Sequence, residues 1–186
     1  MSTYIPGAIW TGQVPFETDN SWVLDGIAAF NKAVNKNLWI PRTNEANYVT
    51  FKKAEHHRSD IGKKGGKQSV DYSESLTTLH HEMCHALSLG HENFHTKWPL
   101  RGAVLDLTTI HKQAFEASMN KYTDYGDFDA KSIMLYPNER FGLKADDSRF
   151  VYRTLNKELS DADIKLIRLM CNPSAPDLTT VLTGSK

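Results

Sequence analysis

Two histidines and a glutamate at residues 81–85 have the types and the spacing of a catalytic metal site. The segment reads His81-Glu82-Met83-Cys84-His85, so on a helix the two histidines lie four residues apart on one face. Both imidazoles can then reach one zinc ion, with Zn–N distances of about 2.0–2.1 Å. Glu82 lies beside them, where it can take a proton from a water molecule. The pattern predicts a zinc site with Glu82 as general base.

His91 can complete a three-histidine site only if the chain turns back after the helix. A continuous helix would carry it about 15 Å along the axis from His81 and onto another face. Gly90 permits such a turn, because glycine enters φ > 0 without steric cost. Three neutral imidazoles leave a fourth position for water, which is typical of catalytic zinc. We therefore predict one Zn²⁺ per chain, bound by His81, His85 and His91.

Two residues within or beside the motif are competing candidates. Cys84 could be suspected as a ligand, but free cysteine usually behaves as a small core residue. His80 competes with His81 for the register, and only His81 is followed by both the glutamate and the i+4 histidine. A chance match is the ordinary alternative in a chain with eight histidines, and the third histidine argues against it.

The motif and its surroundings resemble the astacin family of metzincin metallopeptidases. The pattern HExxHxxxxxHE at 81–92 is followed by Ser-Ile-Met-Leu-Tyr at 132–136. Segments 39–51, 62–68 and 159–164 resemble, in the expected order, the segment ahead of the family's upper sheet, its glycine-rich turn and the start of its last helix. Glu92, directly after the third histidine, favours astacins over other metzincins.

The resemblance implies a two-lobed α+β zincin fold. In that fold a mixed sheet and the active-site helix lie above the cleft, and an irregular lobe with a C-terminal helix lies below it. It implies a catalytic domain over residues 1–173, with 174–186 as a tail or linker stub. The implied activity is that of a zinc-dependent endopeptidase acting on protein substrates.

The resemblance also implies roles for residues outside the histidine motif. Tyr136 matches the family tyrosine that binds zinc in the resting enzyme and then stabilises the oxyanion. Met134 matches the methionine of the turn beneath the metal, which packs under the histidines without binding zinc. Glu92 matches the glutamate near the buried mature amino terminus, so we expect it to pair with Met1.

Substrate contacts are predicted at two places. The resemblance makes Lys67–Tyr72 the strand at the cleft edge, so Gly66 and Gln68 become substrate-binding candidates, and an exposed edge lets a peptide add as a further strand. Arg149 and Arg153 follow the methionine turn and could favour an acidic side chain in the S1′ pocket. Solvated surface charge is the alternative for both arginines.

Two positions depart from the family pattern. Ser88 replaces a family glycine between the second and third histidines, so either Ser88 adopts φ > 0 or the turn has moved toward Gly90. Leu135 replaces the histidine before the tyrosine. The alternative function is a catalytically silent, zinc-stabilised peptide-binding domain, and Ser88 is the feature that favours it.

Length and charge exclude several partners. The 186 residues suit one domain, and lysine plus arginine equals aspartate plus glutamate at 22 each, so no global field attracts a polyanion. No apolar run approaches the about 20 residues of a membrane span. We expect a protein or peptide substrate, no nucleic acid, no membrane partner, and a monomer.

Cysteine usage leaves the compartment open. Cys84 and Cys171 are the only cysteines, whereas the family's two usual disulfides each need a cysteine ahead of the active-site helix. We predict two free thiols. Family resemblance implies secretion, while a disulfide-free fold also allows action in a reducing cytosol, as by a bacterial effector.

Hydrophobic periodicity and capping residues predict the elements that position the site. Helices are predicted after an N-cap within Asp19-Asn20-Ser21, over 76–87, around 109–117 and after Ser160. Strands are predicted over 37–42, 47–53 and 67–72, with 122–129 as loop. Their predicted core faces are Val23, Ile27, Phe30 and Val34 in the first helix, Leu76, Leu79, Met83 and Leu87 in the second, and Ile164, Ile167 and Cys171 in the last.

Overall fold

The computed structural model describes residues 3–101, 121–137 and 156–172. In these ranges the elements are β1 (Thr3–Tyr4), β2 (Val14–Glu17), α1 (Ser21–Ala33), β3 (Trp39–Pro41), β4 (Tyr48–Lys53), β5 (Arg58–Ser59), β6 (Lys67–Tyr72), α2 (Leu76–Ala86), β7 (Thr123–Asp124) and α3 (Asp161–Met170), with a 3₁₀ turn at Glu92–Phe94. None of the helices among them has the length and apolarity to cross a membrane. The predicted helix at 109–117, the tail at 174–186, Met1, Arg149 and Arg153 lie outside the described residues.

A five-stranded mixed sheet forms one layer of the fold. Its order is β3-β2-β4-β6-β5; the first four strands are parallel, and β5 is antiparallel to β6. The strands predicted around 37–42, 47–53 and 67–72 are all present. The mixed sheet and three helices confirm the predicted α+β class.

The edge of this sheet differs from the prediction. Arg58 pairs with Asp71 and Ser59 with Val70, so β5 lies outside β6 and is the edge strand. The chain turns back after β4, and Arg58–Ser59 therefore joins the sheet beside β6. The prediction that Lys67–Tyr72 forms the edge is wrong, because two residues are too few to show a strand pattern in the sequence.

Helix α1 covers the sheet and packs closely on α2. Asn20 caps it by accepting from the N–H groups of Trp22 and Val23, as predicted. The predicted core face, Val23, Ile27, Phe30 and Val34, is buried. Gly26 permits the close approach, because a Cβ there would lie 2.5 Å from Cδ2 of Leu79.

Helix α2 carries the histidine motif through the core. Leu79, Met83 and Leu87 are fully buried as predicted, but Leu76 is 47% exposed. Leu76 belongs to the first turn of α2, at the end of the helix, and the prediction that it faces the core is wrong. Cys84 is a free, buried cysteine, in agreement with its interpretation as a core residue.

Helix α3 packs one face against the hydrophobic core. Ser160 and Asp163 form the predicted capping box, and Ile167 and Cys171 are buried. Ile164 is only partly buried; Leu166 and Met170 take the remaining inward positions. Cys171 is free.

A second, two-stranded sheet joins the start of the described chain to the segment predicted as loop. Thr3 pairs with Asp124 and Tyr4 with Thr123. The prediction of 122–129 as loop is therefore incomplete. This short pairing places β1 next to the histidine motif, because Tyr4 also forms a bridge to Leu89.

Candidate active site

Three histidine side chains converge on one point. His81 and His85 come from one face of α2, and His91 follows the turn after it. The Nε2 atom of His91 lies 3.3 Å from Nε2 of His81 and 3.0 Å from Nε2 of His85. Within the part of the chain that the structure describes, this trio is the group that could hold a metal ion.

Hydrogen bonds on the far side of two rings fix which nitrogen faces the convergence point. Nδ1 of His81 lies 2.9 Å from the carbonyl of Ile133, and Nδ1 of His85 lies 2.8 Å from the carbonyl of Leu89. A carbonyl only accepts, so each Nδ1 donates and each Nε2 presents a lone pair. His91 can donate to only one of them, and a cation at the centre would satisfy the lone pairs that remain.

The spacing fits zinc. Tetrahedral coordination with Zn–N bonds of about 2.0–2.1 Å places ligand nitrogens about 3.3 Å apart, close to the observed separations. Burial lowers the pKa of His81 to about 4 and that of His85 to about 3, which keeps both in the uncharged form that binds metal. His81, His85 and His91 form a zinc-binding site.

Ser88 makes the turn that brings His91 back to the helix. Its φ is 81°, and its hydroxyl donates to the carbonyl of Ala8 at 2.6 Å. Gly90 does not have a positive φ, so of the two alternatives the one in which Ser88 adopts φ > 0 is confirmed, and the turn has not moved toward Gly90. Gly90 is needed for space instead, because a Cβ there would lie 2.2 Å from the ring of Tyr122.

Thr3 and Ile5 form hydrogen bonds with the backbone of the turn at residues 88–91. Thr3 is fully buried, its hydroxyl donates to the carbonyl of His91 at 3.0 Å, and its own carbonyl accepts from the N–H of Gly90 at 2.8 Å. The N–H of Ile5 donates to the carbonyl of Ser88 at 3.0 Å. Sequence reasoning missed this role, since nothing near Thr3 marks a contact 88 residues away.

Glu82 lies beside the histidines with 4% of its surface exposed. A cavity of about 480 Å³ opens next to it and is also lined by His81 and Tyr136. Burial raises the pKa of Glu82 to about 7, the negative charge of Asp71 adds to the rise, and a hydrogen bond from the backbone of Ser59 opposes it. A carboxyl with a pKa near neutrality is suited to exchange protons there.

The turn that carries Met134 is hydrogen-bonded to the histidine segment, through the carbonyl of Ile133 to His81 and through that of Met134 to Glu92; the packing of Met134 under the histidines stays a prediction. Met134 is fully buried, and its carbonyl accepts from the N–H of Glu92 at 3.0 Å. Asp163 on α3 fixes this turn by accepting from the hydroxyl of Ser132 at 2.7 Å and the N–H of Ile133 at 2.9 Å. The capping box identified Asp163 in the sequence, but its second role was missed.

Tyr136 lies against two of the histidines. Its ring centroid is 4.2 Å from that of His91 and 5.2 Å from that of His81. The side chain of Asn93 holds the backbone on both sides, accepting from the N–H of Tyr136 at 2.8 Å and donating to its carbonyl at 3.2 Å. The role of Asn93 was not predicted, because the sequence does not distinguish a buried asparagine that bonds the backbone from an asparagine on the surface. The unusual Leu135 is simply buried.

Glu92 is fully buried beneath the site. One carboxylate oxygen accepts from the N–H of Asp129 at 2.7 Å, and the other has no hydrogen-bond partner among the residues described. Burial raises the pKa of Glu92 to about 9, although the hydrogen bond from the N–H of Asp129 lowers it. The expected partner, Met1, lies outside the described ranges, so that pairing stays a prediction.

The two predicted substrate-binding residues near β6 have structural contacts. Gln68 is buried; its amide donates to the carbonyl of Gly62 at 2.9 Å and accepts from the N–H of Lys64 at 3.0 Å. Gly66 has φ of 69° and donates to the side chain of Asn47 at 2.7 Å. Their predicted contact with a substrate stays a prediction, as does that of Arg149 and Arg153.

A mixed α+β fold with three convergent histidines and a buried neighbouring glutamate defines the zincin class of metallopeptidase folds. The family model described as Astacin, a peptidase family, matches residues 3–172. The chain belongs to the astacin family.

Solved structures with a similar fold include one zinc-protease, and their sequence identity to this chain is low. High choriolytic enzyme 1, a hatching-enzyme zinc-protease from the medaka fish Oryzias latipes, superposes with a TM-score of 0.63 at 19% identity, covering 87% of this chain and 92% of that chain. One structure of myroilysin has a TM-score of 0.55 at 16% identity and covers 91% and 98% of the two chains. Another has a TM-score of 0.50 at 16% identity and covers 89% and 86%. No curated protein sequence matches the chain significantly.

Proposed function

We propose that the protein is a zinc-dependent endopeptidase that cleaves peptide bonds of protein substrates. The observation that carries the proposal is the convergence of three Nε2 atoms beside the buried carboxyl of Glu82, at the mouth of a cavity. A zinc site that only stabilised a fold would be closed by a fourth protein ligand and would need no buried acid beside it.

His81, His85 and His91 would hold the zinc. When bound, zinc polarises the scissile carbonyl as a Lewis acid and lowers the pKa of water to about 7. Glu82 takes the proton of the attacking water and later delivers it to the leaving amine. The backbone of Ser59 favours the charged carboxylate, against the effect of burial.

Tyr136 is assigned the stabilisation of the oxyanion. Its ring lies beside His81 and His91, and Asn93 fixes its backbone from both sides, so the phenol swings from a defined position. A hydroxyl donor aimed at developing charge contributes about 2.7–4 kcal/mol to catalysis in comparable oxyanion sites.

The substrate would bind as an extended strand along the outer edge of β5. This strand is antiparallel to β6, and Ser59 on it contacts Glu82, so a peptide added there passes the reacting groups. We take residues 1–173 as one catalytic domain acting as a monomer. Because Cys84 and Cys171 form no disulfide, its folding does not depend on an oxidising compartment.

Cleavage of an unfolded protein by the parent and by Glu82→Ala, with zinc content measured on both, tests the proposal. We expect about one zinc per chain in each protein, with proteolysis only in the parent. Asp25→Asn, which removes an exposed carboxyl from α1, serves as control and should cleave normally.

Two outcomes would contradict the proposal. A parent protein that binds zinc but cleaves nothing would favour the alternative of a silent peptide-binding domain. Ser88 suggested that alternative, yet the three histidines converge although Ser88 adopts a positive φ. Undiminished cleavage by Glu82→Ala would remove Glu82 from the mechanism.

A further inference from the structure

The loop between β4 and β5 forms a wall of the active-site cavity. Besides His81 and Glu82, the lining includes Glu55, His56, His57, Thr78, Tyr136 and Pro137. Three neighbouring residues of one loop therefore border the space beside the reacting groups. Their pattern in the sequence does not distinguish them from an exposed turn.

The cavity lies on one side of the proposed reaction centre, toward the N-terminal end of α2. His57 shares the cavity with Thr78, whereas the backbone of Ser59 contacts Glu82, one helical turn further along α2. A peptide on the outer edge of β5 would pass Glu82 and then the cavity. Since alternate side chains of an extended peptide point the same way, one residue flanking the cleaved bond enters it.

Glu55 is the charged group of the described lining that has no part in the proposed zinc chemistry. Its side chain is exposed, and no hydrogen bond or ion pair joins it to another described residue. Lys53, two residues earlier, is engaged with Glu74 at 2.6 Å. No lysine or arginine is among the described residues that line the cavity.

We propose that Glu55 makes this cavity select a basic side chain, lysine or arginine, next to the cleaved bond. The methylene stem of such a side chain packs along the apolar surfaces of Tyr136 and Pro137, while its charged end reaches Glu55. The inference rests on the proposed peptidase function and adds the substrate class.

The preference is measured with peptides that are identical except for lysine, methionine or glutamate at each position flanking the cleaved bond. At about pH 8, above the ordinary imidazole pKa of about 6.5, we expect kcat/KM for the lysine peptide to exceed that for the glutamate peptide about ten-fold. An exposed ion pair changes kcat/KM about two- to five-fold. Attraction of the lysine side chain raises kcat/KM by this factor, and repulsion of the glutamate side chain lowers it by a similar factor.

Two substitutions of the same side chain test the cause. Glu55→Gln should bring the lysine-to-glutamate ratio close to one, and Glu55→Lys should invert it. Asp25→Asn should keep the parental ratio. A ratio that neither Glu55 variant changes would overturn the proposal, and so would a parental preference for glutamate, which would point to Arg149 and Arg153 instead.

Binding separates this inference from the peptidase proposal. Dissociation constants of Glu82→Gln for the same labelled peptides, measured by fluorescence anisotropy, require no turnover. Tighter binding of the lysine peptide, lost in Glu82→Gln/Glu55→Gln, would support the role of Glu55 even if the parent cleaves nothing. Equal binding and equal cleavage of all three peptides would overturn it while leaving the peptidase function intact.

Discussion

The carboxylate of Asp163 accepts a hydrogen bond from the backbone N–H of Ile133 at 2.9 Å, 30 residues earlier in the chain. The carbonyl of Ile133 in turn accepts from Nδ1 of His81 at 2.9 Å. Asp163, in the first turn of α3, is thus linked to His81 through the backbone of a single residue, Ile133. Outer contacts of this kind tune metal affinity about 10- to 100-fold.

Substituting Asp163→Ala should therefore weaken zinc binding as well as the fold. The change leaves buried donors of Ser132 and Ile133 without an acceptor, at a cost of about 2–4 kcal/mol in the free energy of unfolding. We expect faster zinc loss to a chelator under conditions where the variant is still folded. Asp161→Ala, exposed in the same helical turn, is the control; equal zinc loss in both variants would refute the coupling.

Replacing one zinc ligand should empty the site, whereas replacing its neighbour should not. His81→Gln removes an Nε2 ligand, so we expect zinc content to fall well below one per chain. His80→Gln is the matched control, because His80 contacts the carbonyl of Gly26 at 2.9 Å instead of the metal centre. Zinc contents measured by atomic absorption that fall equally in both variants would contradict the assignment.

Ser88 offers a test of how strain and hydrogen bonding balance in the zinc-binding turn. Ser88→Gly relieves a positive φ, worth about 1 kcal/mol or more, but loses the bond to Ala8, worth about 1 kcal/mol, so the free energy of unfolding should change little. Ser88→Ala loses the bond and keeps the strain. We expect it to be less stable than Ser88→Gly by about 1 kcal/mol in denaturant unfolding; the reverse order would show that the positive φ at position 88 carries no strain.

Acid should destabilise the fold through His95. Burial lowers its pKa, against the charge of Asp124, while Nδ1 accepts from the N–H of Lys97 at 3.0 Å and Nε2 faces the carbonyl of Gly126 at 3.1 Å. The unfolded chain binds a proton near pH 6.5 and the folded chain only at lower pH, so stability falls as pH drops below about 6.5.

His95→Gln should show a smaller loss of stability than the parent between about pH 7 and pH 5. Comparing the two proteins cancels the contribution of the zinc ligands, which both retain. Thermal unfolding at several pH values supplies the measurement, and parallel stability curves for parent and variant would exclude His95 as the cause.

The sequence predicted those parts of the fold that are encoded locally. The spacing of Val23, Ile27 and Phe30, the cap at Asn20 and the capping box at Ser160 each depend on residues within a few turns of one another. The histidine motif is equally local, since residues four apart on a helix share a face. These predictions were confirmed because tertiary packing buries the same helix faces that the local sequence pattern makes apolar.

What the sequence did not predict depends on contacts between distant segments. The edge position of β5 and the clamp of Asn93 on Tyr136 arise only when the chain has folded, and neither carries a periodic pattern. The sequence left the turn open between Ser88 and Gly90, because glycine is the usual residue for φ > 0, and only the folded chain shows that Ser88 adopts it. The structure instead uses Gly90 to make room for Tyr122.

Two long side chains join the C-terminal ends of α1 and α3. Lys36, just after α1, donates to the carbonyl of Cys171 at 2.6 Å, and Arg168 on α3 donates to the carbonyl of Val34 at 2.6 Å. Each helix end therefore receives a cation from the other. These two contacts tie the C-terminal end of α1 to that of α3, so we expect the two helix ends to move together when a substrate binds.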